Sequence, residues 1–220
     1  MSYNIFDKYM DWLDLYGSCK ALHSINNIRF NYIIDSVCIK NKKILDIGCG
    51  GGILSEKLSL HGANVIGIDK SAVLIDIAKK KRIVSNTIYV NTDLLNFISN
   101  IKYDIIVCME ILEHLKDINI FFDFLIRIKS NNTQLFVSSL DKTLRSYFQF
   151  IFFGEYVVKT LKKNTHDYSC FLNIDKLCHE LQKYQFIVED IKFIKYHYLT
   201  NFSTLSHVTS PNYIIKVKVC

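Results

Sequence analysis

Two groups of residues have types and spacings that can do chemistry. The first is Asp46-Ile-Gly-Cys-Gly-Gly-Gly52, which follows the apolar run Lys43–Ile47. Clustered glycines let a backbone turn tightly and approach a ligand with no Cβ in the way. Asp69 ends the next apolar run. A carboxylate there can accept hydrogen bonds from both hydroxyls of a ribose. Gly48, Gly50 and Asp69 together point to an adenosine-bearing cofactor. The second group is Glu110, Glu113 and His114. Their spacing puts them on one face of a helical turn. Three roles suit two carboxylates and an imidazole: ligands for Mg²⁺ with retained waters, a catalytic pair with His114 as general base, or a polar patch that only shapes a pocket. His166, in Thr165-His-Asp167, is a second candidate base.

The elements that must position these residues follow from periodicity. Lys43–Ile47, Asn64–Ile68, Thr87–Asn91, Tyr103–Val107 and 134–139 read as strands, the first being a short apolar run of the buried kind. Between them 55–61, the stretch from Ser71 to Lys81, and 117–129 read as helices, with Ser71 and Asp117 at N-terminal positions. Residues 22–39 form a helix before the first strand. Strands alternating with helices imply a parallel sheet with right-handed crossovers. The alternation breaks after residue 140, and a helix near 174–184 and strands near 186–195 and 212–219 complete the chain. The expected organisation is a helical cap (1–40), a cofactor-binding core (41–140), a lid (141–172) and the remainder of the sheet (173–220).

Composition narrows the class. The chain has 220 residues, half of them hydrophobic, which suits one domain with a sizeable core. No apolar run approaches the ~20 residues that span a bilayer. Asp7, Asp11 and Asp14 argue against a leader peptide. The seven cysteines are scattered without a C-x-x-C pair, as expected of a reducing cytosol. A net charge of +6 suits an anionic surface and is weak support for nucleic acid. A dinucleotide fingerprint needs glycine or alanine at its last position. Counting from Gly48 or from Gly50 puts Ile53 or Ser55 there, so a nicotinamide cofactor is disfavoured.

The D-x-G-x-G-G-G turn resembles the first motif of class I methyltransferases, and the likeness extends further. Trp12-Leu-Asp-Leu, Leu22-His-Ser-Ile-Asn-Asn-Ile-Arg29, Lys43 through Glu56, Tyr103 through His114, Gly154-Glu-Tyr, Thr165-His-Asp167 and Asn212-Tyr213 are similar to the ubiquinone-biosynthesis O-methyltransferases, of the bacterial UbiG type and its mitochondrial Coq-type relatives. The resemblance implies a Rossmann-like α/β fold: a mostly parallel sheet with a late antiparallel strand, helices on both faces, N-terminal helices and a lid insertion. It implies S-adenosylmethionine as cofactor, contacted by Arg29, Gly48, Asp69 and Met109. Arg29 lies on the apolar stripe Leu22, Ile25, Tyr32, Ile33, so it needs an acidic partner. The donor's carboxylate and an intramolecular salt bridge both qualify, and a side chain that snorkels to solvent is the remaining alternative. Asp93 reads either as a contact to the adenine amine, as in that superfamily, or as a helix N-cap before Leu94. Mitochondrial relatives are thought to hold a divalent metal at positions matching Glu110, Glu113 and His114, while many metal-free enzymes carry a similar segment. The family's usual Pro-Gly-Gly turn before the fifth strand is Ser130-Asn-Asn-Thr133 here, which is expected to loosen it.

The implied reaction is O-methylation of polyprenylated catechols, 2-polyprenyl-6-hydroxyphenol and 3-demethylubiquinol. Another small molecule, or RNA, is the alternative acceptor. Pro211 is the sole proline and precedes Asn212, so neither the Pro-Pro-Tyr/Phe nor the Pro-Cys motif of DNA methyltransferases can exist. No nucleic-acid partner is expected. Residues 144–163 carry Tyr147-Phe-Gln-Phe-Ile-Phe-Phe153 between basic flanks, and read as a lid on an anionic membrane surface or as a pocket roof. The protein is expected in the bacterial cytoplasm, peripheral to the membrane, near other ubiquinone-biosynthesis enzymes.

Overall fold

A computed structural model describes residues 20–115, 117–141, 173–197, 200 and 202–219. The segments Trp12-Leu-Asp-Leu and 144–163, and with them His166, lie outside the described residues. Helix α1 (Lys20–Ser36) precedes strand β1 (Lys43–Ile47). Then follow α2 (Ile53–Leu60), β2 (Asn64–Asp69), α3 (Ala72–Lys81), β3 (Thr87–Asn91) and β4 (Ile105–Met109). A 3-10 turn (Leu112–His114) leads to α4 (Asn119–Ile128) and β5 (Gln134–Leu140). Beyond it come α5 (Ile174–Lys183), β6 (Phe186–His197), β7 (Phe202–Ser206) and β8 (Asn212–Val219).

The strands form one eight-stranded sheet in the order β3-β2-β1-β4-β5-β8-β6-β7. The five strands β1 to β5 are parallel, whereas β8 pairs antiparallel with β5 and β6, and β7 antiparallel with β6. The mostly parallel sheet is as expected, with two antiparallel strands rather than one. Strand β7 has no counterpart in the sequence reading, and β4 lies two residues later than Tyr103–Val107. Tyr103 is buried ahead of the strand, where its carbonyl accepts from Thr133 Oγ1 at 2.7 Å.

Strand alternation sends successive side chains to opposite faces. On one face Leu45, Ile47, Ile106, Cys108, Leu135 and Val137 pack with Phe121, Phe122 and Leu125 of α4 and Leu177 and Leu181 of α5. On the other, Ile44, Val107, Met109 and Phe136 pack with Phe30 and Ile33 of α1 and Leu54 and Leu58 of α2. A sheet covered on both sides explains why β1 and β4 are continuous apolar runs. The turn before β5 is not loosened by its missing Pro-Gly-Gly. Thr133 Oγ1 accepts from Ser130 N at 2.8 Å, and Thr133 N donates to Ser130 O at 3.2 Å.

Strand order reverses between β1 and β4, and in open α/β sheets ligands bind outside the carboxyl ends of the strands at such a point. Ile47 is in register with Ile68 and Cys108, and Met109 with Ser138. The glycine turn, Asp69 and Glu110 therefore leave the sheet side by side.

Candidate active site

Gly48 adopts φ +68°, and an added Cβ would run into the Ile111 side chain. The turn therefore lies against the segment that follows β4, and only glycine allows it. Gly48 and Cys49 donate their backbone N–H to Ile68 O at 2.8 and 3.0 Å, tying the loop to β2. Asp69 completes the arrangement. Its Oδ2 accepts from Gly50 N at 3.0 Å and its Oδ1 from Ser71 N at 2.8 Å. Each carboxylate oxygen accepts more than one bond, so these contacts fix the plane of the carboxylate while retaining capacity for ribose hydroxyls. Asp46 lies fully buried beneath the turn and accepts from Ser55 Oγ at 2.5 Å. Burial, with Asp69 nearby, pushes its carboxyl up to about 7.

Arg29 is 1% exposed on α1. Its Nη2 donates to Glu110 Oε1, an intramolecular ion pair. Nε and Nη1 are buried without a hydrogen-bond partner among the described residues. Buried guanidinium donors left unpaired are costly, and a carboxylate ligand would satisfy them. Glu110 follows β4 with φ +56°, a conformation that costs a non-glycine residue about 1–3 kcal/mol and that clusters at ligand sites. Its Oε1 also accepts from Asn212 Nδ2 at 3.0 Å and from Ser138 Oγ at 3.4 Å. Met109, the last residue of β4, packs into the core on the α1 side.

Glu113 is 2% exposed and accepts from Ser139 Oγ at 2.7 Å. Burial first, and Glu110 second, push its carboxyl well above the ordinary range, which favours the neutral acid. His114, at the end of the 3-10 turn, is half-buried, as is Glu110, so Glu113 alone of the three is enclosed. The three do not fit the Mg²⁺ expectation. Among the described residues no three His, Cys, Asp or Glu side chains form a group able to hold a metal ion. Glu110 Oε1 is engaged by Arg29 and Asn212 and Glu113 Oε2 by Ser139, whereas a Mg²⁺ site gathers its oxygens around one point. Asp93 is exposed and caps the following turn, its Oδ1 accepting from Leu95 N at 3.0 Å and Asn96 N at 2.9 Å. No helix follows Asp93, so it closes a turn rather than capping a helix.

Ser138, Ser139 and Asn212 were not among the sequence candidates. The available signal was two serines inside the apolar strand Leu135-Phe-Val137, since buried polar side chains need partners.

A sheet whose order reverses at a glycine turn, with an acid closing the next strand, is built for an adenosine-bearing cofactor, and similarity to known proteins makes it a class I S-adenosylmethionine-dependent methyltransferase. Solved structures share the fold. The magnesium protoporphyrin IX methyltransferase of Synechocystis, with bound SAH, superposes with a TM-score of 0.68 at 17% identity, covering 91% of this chain and 84% of that one. A methyltransferase from Clostridium acetobutylicum gives 0.67 at 12% identity, covering 98% and 99%. A family model described as a methyltransferase domain matches residues 27–191. Relatives named ubiquinone biosynthesis O-methyltransferase match over almost the whole chain. That of Coxiella burnetii is 37% identical, covering 94% of this chain and 90% of its own length. That of Pelagibacter ubique is 34% identical, covering 94% and 91%. The chain belongs to the ubiquinone biosynthesis O-methyltransferase family and is an S-adenosylmethionine-dependent O-methyltransferase.

Proposed function

We propose that the acceptors are polyprenylated catechols of ubiquinone synthesis, 2-polyprenyl-6-hydroxyphenol and 3-demethylubiquinol. The observation that carries the donor half of this reading is the guanidinium of Arg29, with two buried donors that have no partner among the described residues. The acceptor half rests on the relatives' shared name. S-adenosylmethionine supplies a methyl group activated on a sulfonium. In this reading Arg29 takes the donor's carboxylate, and Gly48 and Gly50 bring backbone close to its methionine part. Asp69 accepts from the ribose. Met109 and Asp93 lie toward the adenine, Asp93 through its second oxygen.

A phenol with a pKa near ~10 needs help to attack at neutral pH. We assign the general base to His114, which is half-buried beside the turn, with His166 as the second candidate. Glu113, enclosed and favouring its proton, supports that turn from below rather than abstracting a proton itself. No helix among the described residues is long and apolar enough to cross a membrane. A polyprenyl tail stays in lipid, so the enzyme would work in the cytoplasm against an anionic membrane surface, beside other enzymes of the pathway. The aromatic segment 144–163 is the proposed contact.

The deciding assay supplies labelled S-adenosylmethionine and a short-chain prenylated catechol, with and without Mg²⁺ or excess chelator. Transfer to the catechol oxygen is expected. Turnover that survives chelation would leave His114 as base without a metal, whereas loss of turnover on chelation, restored by Mg²⁺, would reinstate a metal role. Absence of transfer, with donor binding intact, would sink the acceptor assignment.

A further inference from the structure

The side-chain cluster around Glu110 draws on four elements far apart in sequence. Arg29 comes from α1, Glu110 from the end of β4, Ser138 from β5 and Asn212 from the start of β8. All of them meet on one atom, Glu110 Oε1, which receives the guanidinium of Arg29, the Asn212 amide at 3.0 Å and the Ser138 hydroxyl at 3.4 Å. Ser138 Oγ also lies 3.5 Å from Asn212 Oδ1. Its single proton serves one of these two acceptors at a time. Asn212 and Ser138 are both buried.

The backbone of Glu110 is pinned as well. Its N–H donates to Ser138 O at 2.9 Å. With the main chain fixed, the place of Oε1 depends on side-chain torsions, and the Asn212 amide and the Ser138 hydroxyl hold them. The guanidinium is planar, so the oxygen that takes Nη2 helps to set where Nε and Nη1 point. Those are the two donors without a partner among the described residues.

We propose that Asn212 is a positioning residue for the methyl donor: it fixes Glu110 Oε1, and through that oxygen it aims the guanidinium of Arg29. The inference rests on the reading that Arg29 takes the donor's carboxylate. It gives Glu110 a part in donor binding, apart from any part in acceptor chemistry. The competing account is that Asn212 merely fills its place where β8 pairs with Leu140 of β5 and Ile194 of β6.

The test is calorimetry with S-adenosylhomocysteine on the full chain, together with steady-state kinetics in the donor. The variants are Asn212→Ala, Asn212→Asp, Arg29→Ala and the double Arg29→Ala/Asn212→Ala, each checked by thermal melting. Asn212→Ala is expected to weaken binding roughly tenfold, the scale of one hydrogen bond to a charged group. KM for the donor should rise in step, with kcat at saturating donor unchanged. Asn212→Asp keeps the shape but sets a second carboxylate on Glu110, so it should bind more weakly than Asn212→Ala. A packing role predicts the reverse order. In the Arg29→Ala background, Asn212→Ala should cost nothing more, and additive losses would overturn the proposal. Weakened binding in Arg29→Ala with wild-type affinity in Asn212→Ala would overturn this inference alone. Unchanged affinity in Arg29→Ala would overturn the donor reading and this inference with it. Should Asn212→Ala not fold, Ser138→Ala decides in its place, with an expected loss of about threefold in affinity and wild-type affinity as the refuting result.

Discussion

The two halves of the site differ in how finished they are. Around β1 and β2, the glycine turn and Asp69 are complete as they stand, with both carboxylate oxygens held by backbone amides and the loop tied to Ile68. Around β4, β5 and β8, charges are gathered but two guanidinium donors have no partner among the described residues. The first half is a preformed cradle whose shape the backbone dictates. The second is a set of side chains under tension between burial and charge, which a ligand would resolve. In the proposed reading the first half would take the ribose on Asp69, and the second would take the donor's carboxylate on buried charge, where hydrogen bonds are stronger than in water.

Removing the acid of the finished half should do the most. Asp69→Ala deletes an acceptor of ribose hydroxyls and the anchor of Gly50 and Ser71. Two charged acceptor bonds at ~1.5–3 kcal/mol each imply a fall in S-adenosylhomocysteine affinity of about a hundredfold or more, read by calorimetry. A folded variant with wild-type affinity would break the contrast between the halves.

The next effect is one of stability and comes from beneath the same cradle. Asp46 has its carboxyl raised from 3.8 to about 7. Below the lower value both folded and unfolded chains carry the proton, and burial of the neutral acid adds no ionic cost. Between the two values only the unfolded chain ionises, so native stability falls as pH rises, and above the upper value the loss is complete. The span corresponds to on the order of 4 kcal/mol. Asp46→Asn should therefore stabilise the fold at about pH 8 and change little at about pH 4, as read by denaturant unfolding. An equal effect at both would show that Asp46 is ionised in the native protein.

The smallest effect belongs to the unfinished half. Ser139→Ala strips Glu113 of its hydroxyl partner, and a buried acceptor left unpaired costs about 1–3 kcal/mol. Thermal melting should show that loss while S-adenosylhomocysteine affinity stays unchanged. A matching fall in affinity would instead extend the donor-binding network through Glu113 to β5.

The finished half was legible in the sequence because its signals are local. Gly48 through Gly52 must turn, Asp69 ends the neighbouring strand, and buried parallel strands read as apolar runs. The unfinished half was legible only in its members. Arg29 on an apolar stripe announced a buried charge, but nothing near it in sequence named Glu110 as its partner. Asn212 and Ser138 join them only once β8 has been laid between β5 and β6. Strand β7 escaped for a different reason. Phe-Ser-Thr-Leu-Ser buries Ser203 and leaves Phe202 and Leu205 exposed at the sheet edge, and these two apolar residues, three apart, fall on opposite faces and make no alternation to read. The metal expectation finds no support among the described residues, since spacing along a turn does not say which carboxyl faces inward.

Helix α1 is fastened chiefly to the far end of the chain. Ser24 bonds Ser203 at 2.9 Å, Tyr32 bonds Asp190 at 2.8 Å, and Lys216 reaches the carbonyl of Ser36 at 3.5 Å. During synthesis the cradle of β1 and β2 can close while β6 to β8 are still unmade. Arg29 can meet Glu110 once β4 is made, but the Asn212 amide that holds Glu110 arrives only with β8. Such long-range closure slows folding and leaves the apolar face of α1 open in the interval. A nascent chain stalled after β5 would expose that face, and so would be the form most in need of a chaperone.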